Sequence, residues 1–273
     1  MRSLILLTAG LAACTPSADA PTSAPSADHH AYVWAGGMDS TSADYLLVVD
    51  MDSASATYGQ VVGSVASGTK GAMPHHIERR ASADGRILAN AWRANTSFLF
   101  DVATPRAPTI HATLQTAGGI IGWAHDFTRL PNGNLLVAFN GGPGAYVGAG
   151  GLAELDRDGA VVQAAVAKSS EAGDTAMTPY TVHPVPGRDR AVVGLGEMGM
   201  GKDYKYHDTS TLQLWSTTPL APLALIPLAP NGTDRGHVAP STVATTANGA
   251  MFANTFYCGL YHVHGLEGDT PIA

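Results

Sequence analysis

Cysteine is almost absent from the chain, and charge and helical periodicity are scarce as well. Only two of the 273 residues are cysteines, Cys14 and Cys258, so no framework of disulfides can hold the fold together. Cys258 lies in an apolar, strand-like run, and we expect a buried structural thiol there. Charged residues make up 14% of the chain, and lysine and arginine form no cluster beyond Arg79-Arg80, which excludes a nucleic-acid partner. No window repeats apolar residues with the helical period, so we expect little helix.

The N-terminus has the composition of a targeting segment. Arg2 precedes a short apolar run that cannot span a bilayer, and Leu11-Ala12-Ala13-Cys14 resembles the lipobox of bacterial lipoproteins. Residues 1–14 are therefore predicted to be a signal peptide, with a lipid on Cys14 that anchors the protein to the membrane on the periplasmic side of the cell envelope. An ordinary signal peptide with a chance cysteine is the alternative. Residues 15–30 are predicted to be a disordered tether, and residues 31–273 a single domain.

A pattern that begins on histidine recurs along the domain. His76 is followed by an Asp84-Gly85 turn and an apolar strand, and His125 by an Asn132-Gly133 turn and another apolar strand. Unit starts lie about fifty residues apart, a spacing typical of β-propellers. We therefore predict an all-β fold, a β-propeller of four-stranded blades, in preference to a β-sandwich. The first unit is predicted to lack its innermost strand, and strands from both termini to close about five blades.

The histidines at the unit starts are candidate metal ligands. Innermost strands line the central channel of a propeller, so His75, His76 and His125 would point toward one another, and imidazole suits copper, zinc and iron. On a regular strand only one of the two adjacent histidines would face the channel, so both could bind only at a bulge or a strand end. His183 and His237, near the starts of the fourth and fifth units, could complete the set. The alternative is that all are structural histidines bonded to backbone.

Acidic residues near these histidines could orient the imidazoles by hydrogen bonds. The candidates are Glu78, Asp126 and Glu197. Ordinary solvated charges are the alternative role for all three.

Several motifs, in a shared order, resemble the selenium-binding protein and methanethiol oxidase family. They are residues 44–50 with 58–62, Pro74-His75-His76, residues 100–102 with 105–108, His125 with residues 130–137, and residues 150–156. The resemblance covers roughly residues 31–166 and weakens afterwards. It implies a seven-bladed propeller and, for the bacterial oxidases, a periplasmic copper enzyme that converts methanethiol, O₂ and water into formaldehyde, hydrogen sulfide and hydrogen peroxide. A small thiol and O₂ would then be the partners, and His75, His76 and His125 the ligands that carry over.

The sequence also departs from the family. Residues 77–80, Ile-Glu-Arg-Arg, replace the segment that usually follows the histidine pair and leads to a cysteine-bearing loop. Thr128 stands where the family tends to carry a second histidine, and a ligand near the family's C-terminus has no counterpart. These departures favour the alternative function, a non-catalytic propeller that binds a protein or a small ligand at the cell envelope.

Overall fold

The described residues form five antiparallel sheets that follow one another along the chain. The computed structural model describes residues 29–37, 39, 41–144, 149–168, 177–195, 209–230, 232 and 235–273. Within these ranges the only helical element is one turn of 3₁₀ helix at Trp92–Ala94, and no helix is long and apolar enough to cross a membrane. The predicted all-β propeller is confirmed. The predicted signal peptide, Cys14 and most of the predicted tether lie outside the described residues.

Each sheet consists of strands that are consecutive in sequence. The first sheet contains β1 (His30–Ala35), β2 (Ala43–Asp50) and β3 (Val61–Lys70). The second contains β4 (Pro74–Ile77), β5 (Arg86–Ala91), β6 (Thr96–Asp101) and β7 (Thr109–Leu114). The third contains β8 (Thr116–Ala117), β9 (Ile121–Arg129), β10 (Leu135–Gly141), β11 (Gly151–Leu155) and β12 (Val161–Val166). The fourth contains β13 (Thr181–Pro184), β14 (Arg190–Gly194), β15 (Thr211–Thr217) and β16 (Leu220–Pro227), and the fifth β17 (Pro240–Thr245), β18 (Met251–Thr255) and β19 (Leu260–Val263).

The sheets pack face to face, as the side-chain pattern of β10 shows. Leu135, Val137 and Phe139 pack into the apolar cluster shared with the second sheet. Leu136 and Ala138, the alternate residues, pack into the cluster shared with the fourth sheet. Because successive side chains of a strand point to opposite faces, a strand that is buried on both faces reads as a continuous apolar run. Similar clusters join the first sheet to the second and the fourth to the fifth.

The innermost strands β1, β4, β9, β13 and β17 lie side by side in this order. The prediction that the first unit lacks its innermost strand is wrong, because β1 contacts β4 and the sheet ends at its third strand, β3. In the last sheet Ile272 forms an antiparallel bridge with His264, immediately after β19, and so begins a fourth strand. Among the described residues no sheet combines strands from the two ends of the chain, so the predicted closure is not observed.

One buried amide joins the innermost strands of the second and third sheets. Asn90, on β5, is almost fully buried. Its Oδ1 accepts the backbone N–H of His76 at 2.6 Å, and its Nδ2 donates to the carbonyl of Ala124 at 2.6 Å and to that of His125 at 3.3 Å. Since a buried polar group needs a partner, these bonds fix the two strands relative to each other.

Asn90→Ala is expected to lower the free energy of unfolding by roughly 1–3 kcal/mol, because it leaves buried backbone groups of both strands without a partner. Urea denaturation measures this as a lower midpoint at an unchanged slope. Gln115→Ala, which removes an exposed amide with one long bond to Thr96, is the control and should change stability by less than about 0.5 kcal/mol. Equal midpoints for the two variants would show that Asn90 does not hold the strands.

Candidate metal centre

A β-bulge places both adjacent histidines of β4 on the same side of the strand. Pro74 pairs with Ala91 and Ile77 with Ala89, so His75 and His76 together stand opposite the single residue Asn90. The extra residue breaks the alternation of side chains that a regular strand imposes. The two imidazole rings consequently lie with their centroids 4.5 Å apart. This is the irregularity that both histidines need in order to face the channel.

A second bulge, on β9, presents His125 to the same point. Ala124 pairs with Phe139 and Asp126 with Ala138, so His125 is the unpaired residue of the strand. Its side chain is fully buried, and its Nδ1 lies 2.6 Å from the carbonyl oxygen of Tyr180. A carbonyl can only accept, so Nδ1 carries the proton and the lone pair of neutral His125 is on Nε2.

The three imidazoles form a group that could hold a metal ion. The Nε2 atoms of His75 and His125 are 2.9 Å apart, and one ring nitrogen from each of His75, His76 and His125 lies within 4.8 Å of the others. Two nitrogens that each bind one ion at about 2.0 Å lie roughly 2.8–3.3 Å apart, so the pair already has a suitable spacing. It is the one such group among the residues that the structure describes.

The surroundings of the group keep the imidazoles of His75 and His125 neutral. Burial, and then the charge of His76, lower the pKa of His75 to about 4. Burial lowers the pKa of His125 well below its ordinary value, and the charges of His76 and His75 add to the effect. Neutral imidazole is the form that binds a metal, so the free protein holds the group ready for a cation.

Asp126 stands beside the group on the same bulge. One carboxylate oxygen lies 3.9 Å from Nδ1 of His76, and the other accepts the N–H of Val182 at 3.0 Å. Burial tends to raise the pKa of Asp126, but its contacts with His76, Val182 and Thr181 outweigh burial and lower it. Asp126 is therefore an anion next to His76, in the position expected of a residue that orients an imidazole.

The other predicted site residues lie elsewhere. His183 is on β13, a strand without a bulge, and its Nε2 lies 2.8 Å from Oγ1 of Thr245. His237 precedes β17, and its buried Nδ1 has no hydrogen-bond partner among the described residues. Neither joins the group. Glu78 is bound to Arg129 rather than to an imidazole, and Glu197 lies outside the described residues. The expectation of a buried Cys258 is wrong: the thiol is free and exposed in the turn after β18.

Two residues that position the group were not among the sequence candidates. Asn90 ties the bulges together, and the ring of Tyr180 lies against that of His125 with centroids 3.8 Å apart. A single asparagine inside the apolar strand β5 was the available signal for the first. Tyr180 acts through its backbone carbonyl, and the sequence carries no signal for that.

A cavity of about 740 Å³ opens beside His76. Its walls come from β4, β9, β13 and β17, the innermost strands of four sheets, and from the residues directly after β4. Apolar side chains that include Phe127, Val243 and Phe256 share these walls with charged ones. A small molecule in the cavity would therefore touch the histidine group.

The fold and the site define a β-propeller with a histidine group at the inner ends of two blades. No model of a known protein family matches the chain. The chain is 32% identical over 139 residues to the methanethiol oxidase of Ruegeria pomeroyi, which covers 48% of this chain and 31% of that protein. Over this part the chain resembles the selenium-binding protein and methanethiol oxidase family.

Solved structures show the same fold. A hypothetical selenium-binding protein from Sulfolobus tokodaii superimposes with a TM-score of 0.61 at 15% identity, over 82% of this chain and 54% of that one. A protein from Lactobacillus plantarum superimposes with a TM-score of 0.59 at 14% identity, over 88% of this chain and 68% of that one. The chain thus spans about a third of the curated relative and about half of the selenium-binding protein.

The metal-free protein should lose stability as the pH falls from about 6.5 to about 4. The pKa of His75 is 6.5 in an ordinary environment and about 4 in the folded protein, so the unfolded chain binds more protons throughout this window. Urea unfolding at several pH values measures the slope. His75→Gln should show a smaller loss of stability than the wild type, whereas His111→Gln, on the outer strand β7, should show the same loss. An unchanged slope in His75→Gln would refute the assignment.

Proposed function

We propose that the protein is a copper-dependent oxidase of a small thiol. The observation that carries the proposal is the convergence of His75, His76 and His125, on two bulged strands, at the edge of a cavity. The likeness to a methanethiol oxidase supports the same chemistry. In that reaction the carbon of methanethiol loses two electrons and O₂ gains two, which gives formaldehyde, hydrogen sulfide and hydrogen peroxide when one water is consumed.

The ligands of the proposed ion are His75 and His125 through Nε2, with His76 as the third. Copper held there would supply the redox chemistry that a thiol and O₂ require, and nitrogen ligands of this kind suit it. The chain's own residues set the geometry. The carbonyl of Tyr180 fixes the tautomer and the ring plane of His125, and Asp126 faces His76. The apolar wall of the cavity offers a surface for the carbon of the thiol.

One observation favours a second candidate, a metal-free propeller that binds a ligand. The 2.9 Å between Nε2 of His75 and Nε2 of His125 is also the length of a hydrogen bond between two neutral imidazoles. Elemental analysis separates the candidates, since a binding module of this kind retains no metal through purification.

The proposal includes a periplasmic location at the cell envelope, where a lipid on Cys14 holds the domain to the membrane. Palmitate labelling of the full chain in a bacterial host tests this. The wild type should incorporate the label and remain with the membrane fraction, whereas Cys14→Ser should do neither. Unlabelled wild-type protein would refute the anchor.

Copper-loaded protein is expected to contain about one copper per chain and to produce hydrogen peroxide from methanethiol and O₂. His125→Ala removes a central ligand and should reduce both copper content and peroxide production at least tenfold. His76→Ala, at a less buried position, should reduce both as well and tests the site if His125→Ala fails to fold. His111→Ala, the control on β7, should retain both.

Elemental analysis and a peroxide assay are the measurements. Protein that remains metal-free after copper is supplied would refute the proposal. Copper binding that is unchanged in both variants would show that the ion lies elsewhere.

A further inference from the structure

Two arginines without an acidic partner line the cavity beside the histidine group. Arg79 and Arg80 follow β4 directly, in a bend between β4 and β5, and both side chains are exposed. Among the described residues no ion pair involves either of them. The same cavity contains His76, so a ligand in it can reach the arginines and the histidine group together.

The other charges of the cavity already have partners. Arg129 forms a bidentate ion pair with Glu78, in which its guanidinium donates two hydrogen bonds of 2.9 Å to the carboxylate. Asp126 accepts the N–H of Val182 and faces His76. The cavity thus holds three arginines and two carboxylates, so positive charge is in excess, and Arg79 and Arg80 are its cations without an ion pair among the described residues. This is unusual for a chain whose net charge is −7.

The charge of Arg79 acts across the cavity. Burial lowers the pKa of His183, on β13, and the positive charge of Arg79 lowers it further. The negative charge of Asp126 acts in the opposite direction, so His183 lies within reach of both charges. Phe127 and Phe256 also line the cavity, so it combines cationic groups with apolar side chains.

From this arrangement we infer that the cavity binds a small molecule with a carboxylate at one end and an apolar segment at the other. The planar guanidinium of arginine can bind both oxygens of a carboxylate. A neutral molecule such as methanethiol forms no ion pair with either arginine. The carboxylate of Asp126 in the same cavity disfavours a dianion such as phosphate. The last step rests on the proposed function: the substrate of the oxidase is a small molecule that carries both a thiol and a carboxylate.

The binding part is tested on metal-free protein by calorimetry at low ionic strength, with butyrate and with butyramide, which has a similar size and no charge. Butyrate should bind at least tenfold more tightly than butyramide, and should weaken as salt is added. The double variant Arg79→Gln/Arg80→Gln should lose this preference. Arg157→Gln, which removes an exposed arginine between β11 and β12, should keep it.

Equal binding of butyrate and butyramide, no binding of either, or wild-type binding by the double variant would overturn the inference. Inorganic phosphate is the third probe. Phosphate that binds more tightly than butyrate would overturn the choice of a carboxylate, because it would identify the ligand as a phosphate ester.

The substrate part is tested on copper-loaded protein with 3-mercaptopropionate and methanethiol. The kcat/KM for 3-mercaptopropionate should exceed that for methanethiol and fall at least tenfold in the double variant, at unchanged copper content. Butyrate binding without copper binding would refute the proposed oxidase and leave the anion site intact. Methanethiol oxidation without butyrate binding would refute the anion site alone.

Discussion

The histidine group depends on one extra residue in each of two innermost strands. A regular β4 would send His75 and His76 to opposite faces, and a regular β9 would keep His125 in the cross-strand ladder. Both bulges leave backbone groups in need of partners, and the amide of Asn90 supplies bonds to both. The packing of the second sheet against the third is thereby linked to the arrangement of the three imidazoles.

Burial and the closeness of the other imidazoles both disfavour a charged imidazole at this group. Three imidazoles this close cannot all take up a second proton and become cations. Burial lowers the pKa of His75 and His125 further. Each of these two imidazoles therefore keeps one ring nitrogen with a free lone pair, beside a cavity wall that is partly apolar. Protonation of several imidazoles would create cations that repel one another. One metal ion would instead attract the lone pairs of all three neutral imidazoles.

The sequence predicted the architecture better than the ligand set. The spacing of about fifty residues and the apolar runs were sufficient for the succession of sheets. The bulges depend on cross-strand register, such as the pairing of Phe139 with Ala124, which is invisible in one strand alone. For the same reason the regular strand β13 keeps His183 out of the group. The strand β1 was not recognised as innermost because no Asp-Gly or Asn-Gly turn like those after β4 and β9 follows its histidine, His30.

The segment in which the sequence departs from the family it resembles, residues 77–80, begins immediately after His76. His75 and His76 are constrained by the bulge and by the bond to Asn90, and Glu78 is constrained by Arg129 and by the N–H of Leu88. Arg79 and Arg80 lack such constraints, so substitutions there leave the packing of the sheets undisturbed. The residues that would hold the proposed metal and those that would select its substrate are thus adjacent in sequence but differ in how firmly the fold fixes them. Substitutions of Arg79 and Arg80 can therefore change what enters the cavity while the histidine pair stays in place.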